Sequence, residues 1–174
     1  MSFSLHAATI PPYLQILGSV ARLVDRAETW CAETNTPAEE VIAARLIADM
    51  LPFTYQVKST AEHSIGAIKS VREGFATPSL AAPPSTFAEL REKVAAARTD
   101  LAALEPAEID GFVGKPVRFE FKGMTRDFTA ENFLIGYALP NFYFHAVTAY
   151  DLLRARGVQL GKRDFLGDLP TITA

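Results

Sequence analysis

The sequence predicts an all-α protein, a four-helix bundle with one long crossover and a small β-hairpin inserted before the last helix. Three observations carry that reading. Apolar residues recur at steps of three and four through most of the chain, one proline-rich stretch interrupts them, and a single short segment switches to a step of two. With 174 residues, 49% of them hydrophobic, residues 1–174 have room for one domain and hardly for a second core.

The first helix is expected over residues 13–31. Leu14, Leu17, Ala21 and Val24 fall on one line, with Ile16, Val20, Leu23, Ala27 and Trp30 beside it, a face wide enough for a core helix. Pro11 and Pro12 are placed in its first turn, where a missing N–H has no helical partner to lose, and Thr34-Asn35-Thr36-Pro37 ends it. The next run, 39–73, carries Leu46, Met50, Phe53, Val57, Ala61, Ser64, Ile68 and Val71 at helical spacing. Pro52 disfavours helical backbone at Leu51, so a short helix to about Met50, a bend, and a longer helix closed by Gly74 are expected.

Residues 75–85 hold Pro78, Pro83 and Pro84 and read as an extended surface connection. Ser85-Thr86 followed by Glu89 signals a capped start for the third helix, striped by Phe87, Leu90, Val94, Ala97, Leu101 and Leu104 up to Pro106. Val117, Phe119 and Phe121 then alternate with Arg118, Glu120 and Lys122 ahead of Gly123, which places a hairpin at 115–122. The last helix is expected over 129–156, with Gly157 where a C-terminal glycine cap belongs.

Composition excludes several classes of function. Seventeen basic and 20 acidic side chains leave a net charge of −3, without the cationic field that draws proteins to nucleic acid, so no nucleic-acid partner is expected. No stretch reaches the ~20 apolar residues of a membrane span, and the first ten residues lack the pattern of a signal peptide. Neither a membrane partner nor targeting is expected. Cys31 is the only cysteine, which rules out an intramolecular disulfide and a Cys-rich zinc site, fits a cytoplasmic location, and reads as a buried apolar thiol. Phosphate loops, the G-x-S-x-G elbow and H-E-x-x-H are missing.

On the last helix, Leu134, Ala138, Asn141, His145, Thr148, Leu152 and Ala155 share one face, which sets an amide and an imidazole inside a core stripe. Buried polar groups need partners, so Asn141 and His145 must be paired, hydrated or liganded, and their spacing of four lets both reach one point. Gln56 on the second helix can face the same interior; Asp49, ahead of Pro52, is a carboxylate nearby that reads first as a cap or turn residue. His63 and His6 read as solvent-facing or terminal. The ordinary reading of His145 is a core histidine hydrogen-bonded to a neighbour, and the sharper one a ligand or metal contact.

Leu139-Pro140-Asn141-Phe142-Tyr143-Phe144-His145, then Ala149-Tyr150, Leu153-Arg154, Gly157-Val158 and Gly161-Lys162-Arg163-Asp164-Phe165-Leu166-Gly167, together with Ala48-Asp49-Met50-Leu51-Pro52 and Gln56-Val57, resemble the DUF1993 family of the DinB/YfiT-like metalloenzyme superfamily. The resemblance implies an up-down-down-up bundle, a homodimer, and a divalent metal held by one histidine of the second helix and two of the fourth. His145 falls on the last of these positions, Asn141 on its partner, and Gln56, or alternatively Asp49, on the second-helix position. Two imidazoles are thus replaced by neutral amides, weaker ligands that undercut tight zinc or nickel binding and thiol transfer. Three functions compete: a polar pocket of Gln56, Asn141 and His145 for a small molecule or a weakly held divalent cation, a metal-dependent transferase or hydrolase, and a non-catalytic dimeric interaction module. No catalytic residue is assigned.

Overall fold

Four helical rods and a three-stranded sheet build the molecule, described over residues 4–171 of a computed structural model. Helix α1 (Leu5–Thr34) starts earlier than its periodicity suggests, because the Ser4 side chain accepts from Ala7 N and caps it. Pro11 and Pro12 therefore lie inside the helix and not in its first turn. Burial of Leu5, Thr9, Ile10 and Tyr13 on both sides of the prolines holds that segment helical despite two missing donors. Asn35 closes α1 in the left-handed conformation, at φ 54.

The short helix α2 (Ala38–Ile42) stops well before Met50. Leu46, Ile47 and Leu51 are exposed rather than part of a core stripe, so residues 43–52 form an irregular bridge where a helix is expected. Helix α3 (Phe53–Ala61) then runs through a π-helical turn, Glu62–Gly66, into α4 (Ala67–Glu73), and Gly74 ends the rod at φ 68. The predicted stripe of Phe53, Val57, Ala61, Ser64, Ile68 and Val71 is buried throughout.

The connection beyond Gly74 is not wholly irregular. Phe75–Ala76 forms a short strand β1, parallel to β2 (Pro116–Phe121), which pairs in turn with β3 (Met124–Thr129). Lys122 and Gly123, both at positive φ (47 and 79), make the tight turn between β2 and β3. The parallel strand is too short to leave a periodic signal.

Helix α5 (Phe87–Ala102) opens with the expected capping box of Thr86 and Glu89, and a short α6 (Pro106–Asp110) follows. The last rod begins with a second π-helical segment, Asn132–Ala138, and continues as α7 (Leu139–Ala155). Pro140 explains the widened turn, because it lacks the N–H that would bond Gly136 O and its ring would clash with that carbonyl. Helix α8 (Lys162–Leu166) folds back on α1, where Gln15 Nε2 donates to Leu166 O at 2.7 Å. Around the core, α1 and α3 each pack on both α5 and α7. Among the described residues, no helix is long and apolar enough to cross a membrane.

One feature of the core favours a stabilising substitution. Tyr13 is fully buried, its ring meets Phe142 edge-on at 4.8 Å, and its hydroxyl has no hydrogen-bond partner among the described residues. Burial pushes the phenol far above its ordinary titration range. Removing an unpaired buried hydroxyl while keeping the ring relieves its desolvation penalty, so Tyr13→Phe is expected to gain about 1 kcal/mol, or about 2–4 °C in thermal melting.

Candidate functional site

Tyr55, Ser59, His63, Gly66 and Ser70 lie at steps of four, four, three and four, so they share one face of the α3–α4 rod, beside the core stripe. With Glu62 they form one wall of a cavity of about 150 Å³. Phe133 and Tyr137 of the second π segment form another, Phe119 of β2 a third, and the strap from Ala76 to Ser79 the fourth. Both π-helical turns therefore border the same space. Such turns insert an extra residue and re-aim the side chains around them, which is why they recur at functional sites.

The strap is held by α3. Lys58, only 1% exposed, donates from Nζ to Ala81 O at 2.6 Å and Ser79 O at 3.4 Å, and lies 3.5 Å from Glu62 Oε1. Thr54 Oγ1 donates to Pro84 O.

Next to the cavity wall stands a pair of imidazoles. His63 stacks on His145 with centroids 5.4 Å apart and planes 13° from parallel. Tyr137 meets His63 edge-on at 5.9 Å, and Tyr55 meets His145 edge-on at 6.0 Å. Gln56 Nε2 donates to Leu51 O at 2.8 Å, which turns its Oε1 toward His145, and His145 Nδ1 donates to that oxygen at 2.7 Å. The imidazole lone pair of His145 is thereby left on Nε2. Burial holds His63 well below the ordinary histidine range, at about 4; burial, with the His63 charge second, holds His145 at about 4 as well. Both rings are neutral at pH 7. Burial, and next the neighbouring Tyr55, also pushes the Tyr137 phenol up.

Of the four residues singled out from sequence, the fold joins Gln56 to His145. Asn141 is half-buried on α7, and its amide nitrogen donates to Tyr137 O, one turn back on its own helix, at 2.8 Å. Asp49 is exposed in the irregular bridge. Replacing Gln56 by leucine leaves the His145 N–H without its acceptor, and the expected loss is about 2 kcal/mol. The imidazole ¹⁵N shifts of the variant would also show the tautomer released.

The DUF1993 family, described as a domain of unknown function, matches residues 5–166. The chain belongs to that family. A DinB family member protein from Shewanella denitrificans, known from its crystal structure, is similar to it with a TM-score of 0.82 and 26% identity, over 98% of this chain and 96% of that one. No curated protein matches.

The three-histidine ion implied for the wider superfamily does not fit the donor set of this DUF1993 protein. Gln56 Oε1 already accepts from His145, and the Asn141 side chain offers at best a neutral amide oxygen, a weak ligand. His63 is the one further imidazole beside His145, and near-parallel stacked rings hold their in-plane lone pairs side by side instead of converging. Among the described residues no three His, Cys, Asp or Glu side chains gather closely enough to hold an ion.

His63 is where sequence reasoning erred. It is not solvent-facing; it lines the cavity and stacks on His145. It shares one helix face with Tyr55, Ser59, Gly66 and Ser70, a stripe whose small and polar members look the same on a solvated face. His6, by contrast, sits near the N-terminus with its backbone N–H on Asp110, away from the cavity.

Proposed function

We propose that this DUF1993 protein binds a small organic molecule in the cavity between the two π-helical turns, with His63 in the wall and the Gln56–His145 pair supporting it from behind. The single observation that carries the reading is convergence. Two helix distortions, a β-strand and a strap held by a buried lysine all border one space, and a histidine kept neutral by burial faces it. Concave sites with apolar walls and a few placed polar groups are where ligands bind. We also read residues 1–174 as one unit, its rods α1, α3–α4, α5 and α7 as an up-down-down-up bundle, and a second copy of the chain as its partner. Sedimentation at micromolar concentration reads the last of these directly.

A cavity-filling variant tests the binding proposal. A Cβ at Gly66 would meet nothing closer than Glu62 Cβ at 3.9 Å, the backbone there is helical and Gly66 lines the cavity, so Gly66→Leu is expected to take up part of the space. In ligand-observed NMR with neutral, cationic and anionic fragments of up to about ten heavy atoms, the parent protein is expected to bind a subset that Gly66→Leu does not, while melting stays the same or rises. Equal binding by both proteins would place the site elsewhere.

One observation favours the rival reading, a metal-dependent transferase or hydrolase. The Nδ1–H of His145 is tied to an amide oxygen and its Nε2 is left with the lone pair, as in metal-bound histidines. A single imidazole would hold an ion only weakly, so zinc, nickel or manganese added to tag-free protein is expected to leave the melting temperature unmoved. A saturable rise that disappears in His145→Ala would favour the rival.

A further inference from the structure

The walls of the cavity also select a class of molecule, an inference that rests on the binding proposal above. Three other hydroxyls of the rod are paired: Thr60 to Val57 O at 2.7 Å and Ser64 to Ala61 O at 3.0 Å on their own helix, and Thr54 to Pro84 O of the strap. Ser59 is not. It is 2% exposed and lines the cavity, and its hydroxyl makes no hydrogen bond to another described residue. The hydroxyl is open to the cavity and not sealed in the core, so whatever fills the cavity, water or ligand, is its partner. His63 adds a neutral imidazole with one donor and one acceptor, neither engaged by another described residue.

Charge narrows the choice further. Among the described residues Glu62 is the one acidic or basic side chain besides His63 in the wall, and it already faces Lys58 at 3.5 Å and Lys93 at 3.8 Å. Lys58 is in turn spent on that carboxylate and on the strap carbonyls. No charge is left over to offset the desolvation of an ionic ligand. Opposite the polar groups stand aromatic rings, Tyr137 with Phe119 at 5.2 Å and with Phe133 at 5.4 Å. A space of about 150 Å³ is of the size that accepts one benzene ring.

We infer that the ligand is a neutral, single-ring aromatic molecule with a hydroxyl or equivalent hydrogen-bonding substituent, a phenol by class. Its ring lies against Phe119, Phe133 and Tyr137, and its substituent reaches Ser59 and His63. A cation or an anion of the same size would lose its hydration for no opposite charge, and a saturated ring would fill the volume but forgo the aromatic contacts.

Titration with phenol, benzoate, benzylamine and cyclohexanol at neutral pH, followed through the side-chain ¹⁵N resonances of His63, tests the inference. Phenol is expected to shift His63 saturably, with the other three at least tenfold weaker. Ser59→Ala is expected to weaken phenol about fivefold with melting unchanged, and Gly66→Leu to abolish the shift. Should benzoate, benzylamine or cyclohexanol move His63 at lower concentration than phenol, the ligand class is overturned and the pocket stands. Phenol binding that Ser59→Ala leaves intact would likewise overturn the assigned contact. If no probe reaches His63, or if phenol still shifts it in Gly66→Leu, the class and the pocket fall together.

Discussion

Replacing Lys58 by alanine is expected to destabilise the protein by about 4 kcal/mol, and by methionine about 2–3 kcal/mol. The difference separates two contributions. Methionine keeps most of the stem and loses the charge, its hydrogen bonds and the contact of Nζ with the Tyr55 ring, 5.5 Å from the centroid. Alanine also leaves a void in a place that is 1% exposed. The loss stays below the upper range for breaking a buried ion pair, because Glu62 keeps Lys93 at 3.8 Å and the strap carbonyls can turn to water. Denaturant unfolding gives the energies. Hydrogen exchange gives the place: amides of residues 77–84 should lose protection ahead of those in α5, since the strap is fastened at Ser79, Ala81 and Pro84 and hardly elsewhere. Equal loss of protection everywhere would mean that Lys58 serves the core and not the strap.

Stability should also fall by about 2–3 kcal/mol as the pH drops from 7 to 5. His63 and His145 titrate near 6.5 in the unfolded chain and at about 4 in the fold. Between those values the unfolded state binds more protons, so the stability is fully present above pH 6.5 and is lost as the pH falls toward 4. Two independent groups would give about 4 kcal/mol at pH 5; partial solvation and their mutual contact reduce it. Carboxylates confuse the reading little above pH 5, since Glu89, Glu108, Asp127 and Glu131 are all held below their ordinary range by hydrogen bonds. His63→Asn and His145→Asn should each remove roughly half of the slope between pH 7 and 5, and unchanged slopes would show that the pair is solvated.

Much of the architecture is legible in the sequence where one rule governs one element. Thr86 and Glu89 cap α5, Lys122-Gly123 turn the hairpin, and Gly74 and Gly157 end their rods, each with a local cause that shows at its own position. Elements fixed by distant partners are not legible in that way. Residues 43–52 carry apolar side chains at helical spacing, yet Leu46 and Ile47 find no surface to cover and the helix stops at Ile42. The strand Phe75–Ala76 exists only because β2 lies alongside.

The same division runs through the site. Gln56 and His145 sit on inward faces of two rods, and periodicity brings both to attention; their hydrogen bond follows from how the rods are set together. His63 was hidden because the rings that cover it, Tyr137 and His145, come from the last rod, far away in sequence. Ser59 was hidden in the same way. A serine on a polar stripe looks solvated until the strap and the sheet are seen to close over it.

The most direct test of the account is a long-range ¹H–¹⁵N spectrum of the three histidines, recorded on tag-free protein at pH 7 alone, with phenol and with zinc. Two neutral rings are expected for His63 and His145, with His145 protonated on Nδ1. Phenol should move His63, leave His6 in place, and be without effect in Gly66→Leu, and one equivalent of zinc should move neither His63 nor His145. Zinc that shifts His63 and His145 together at stoichiometric amounts, with phenol shifting neither, would contradict it and return the site to metal chemistry.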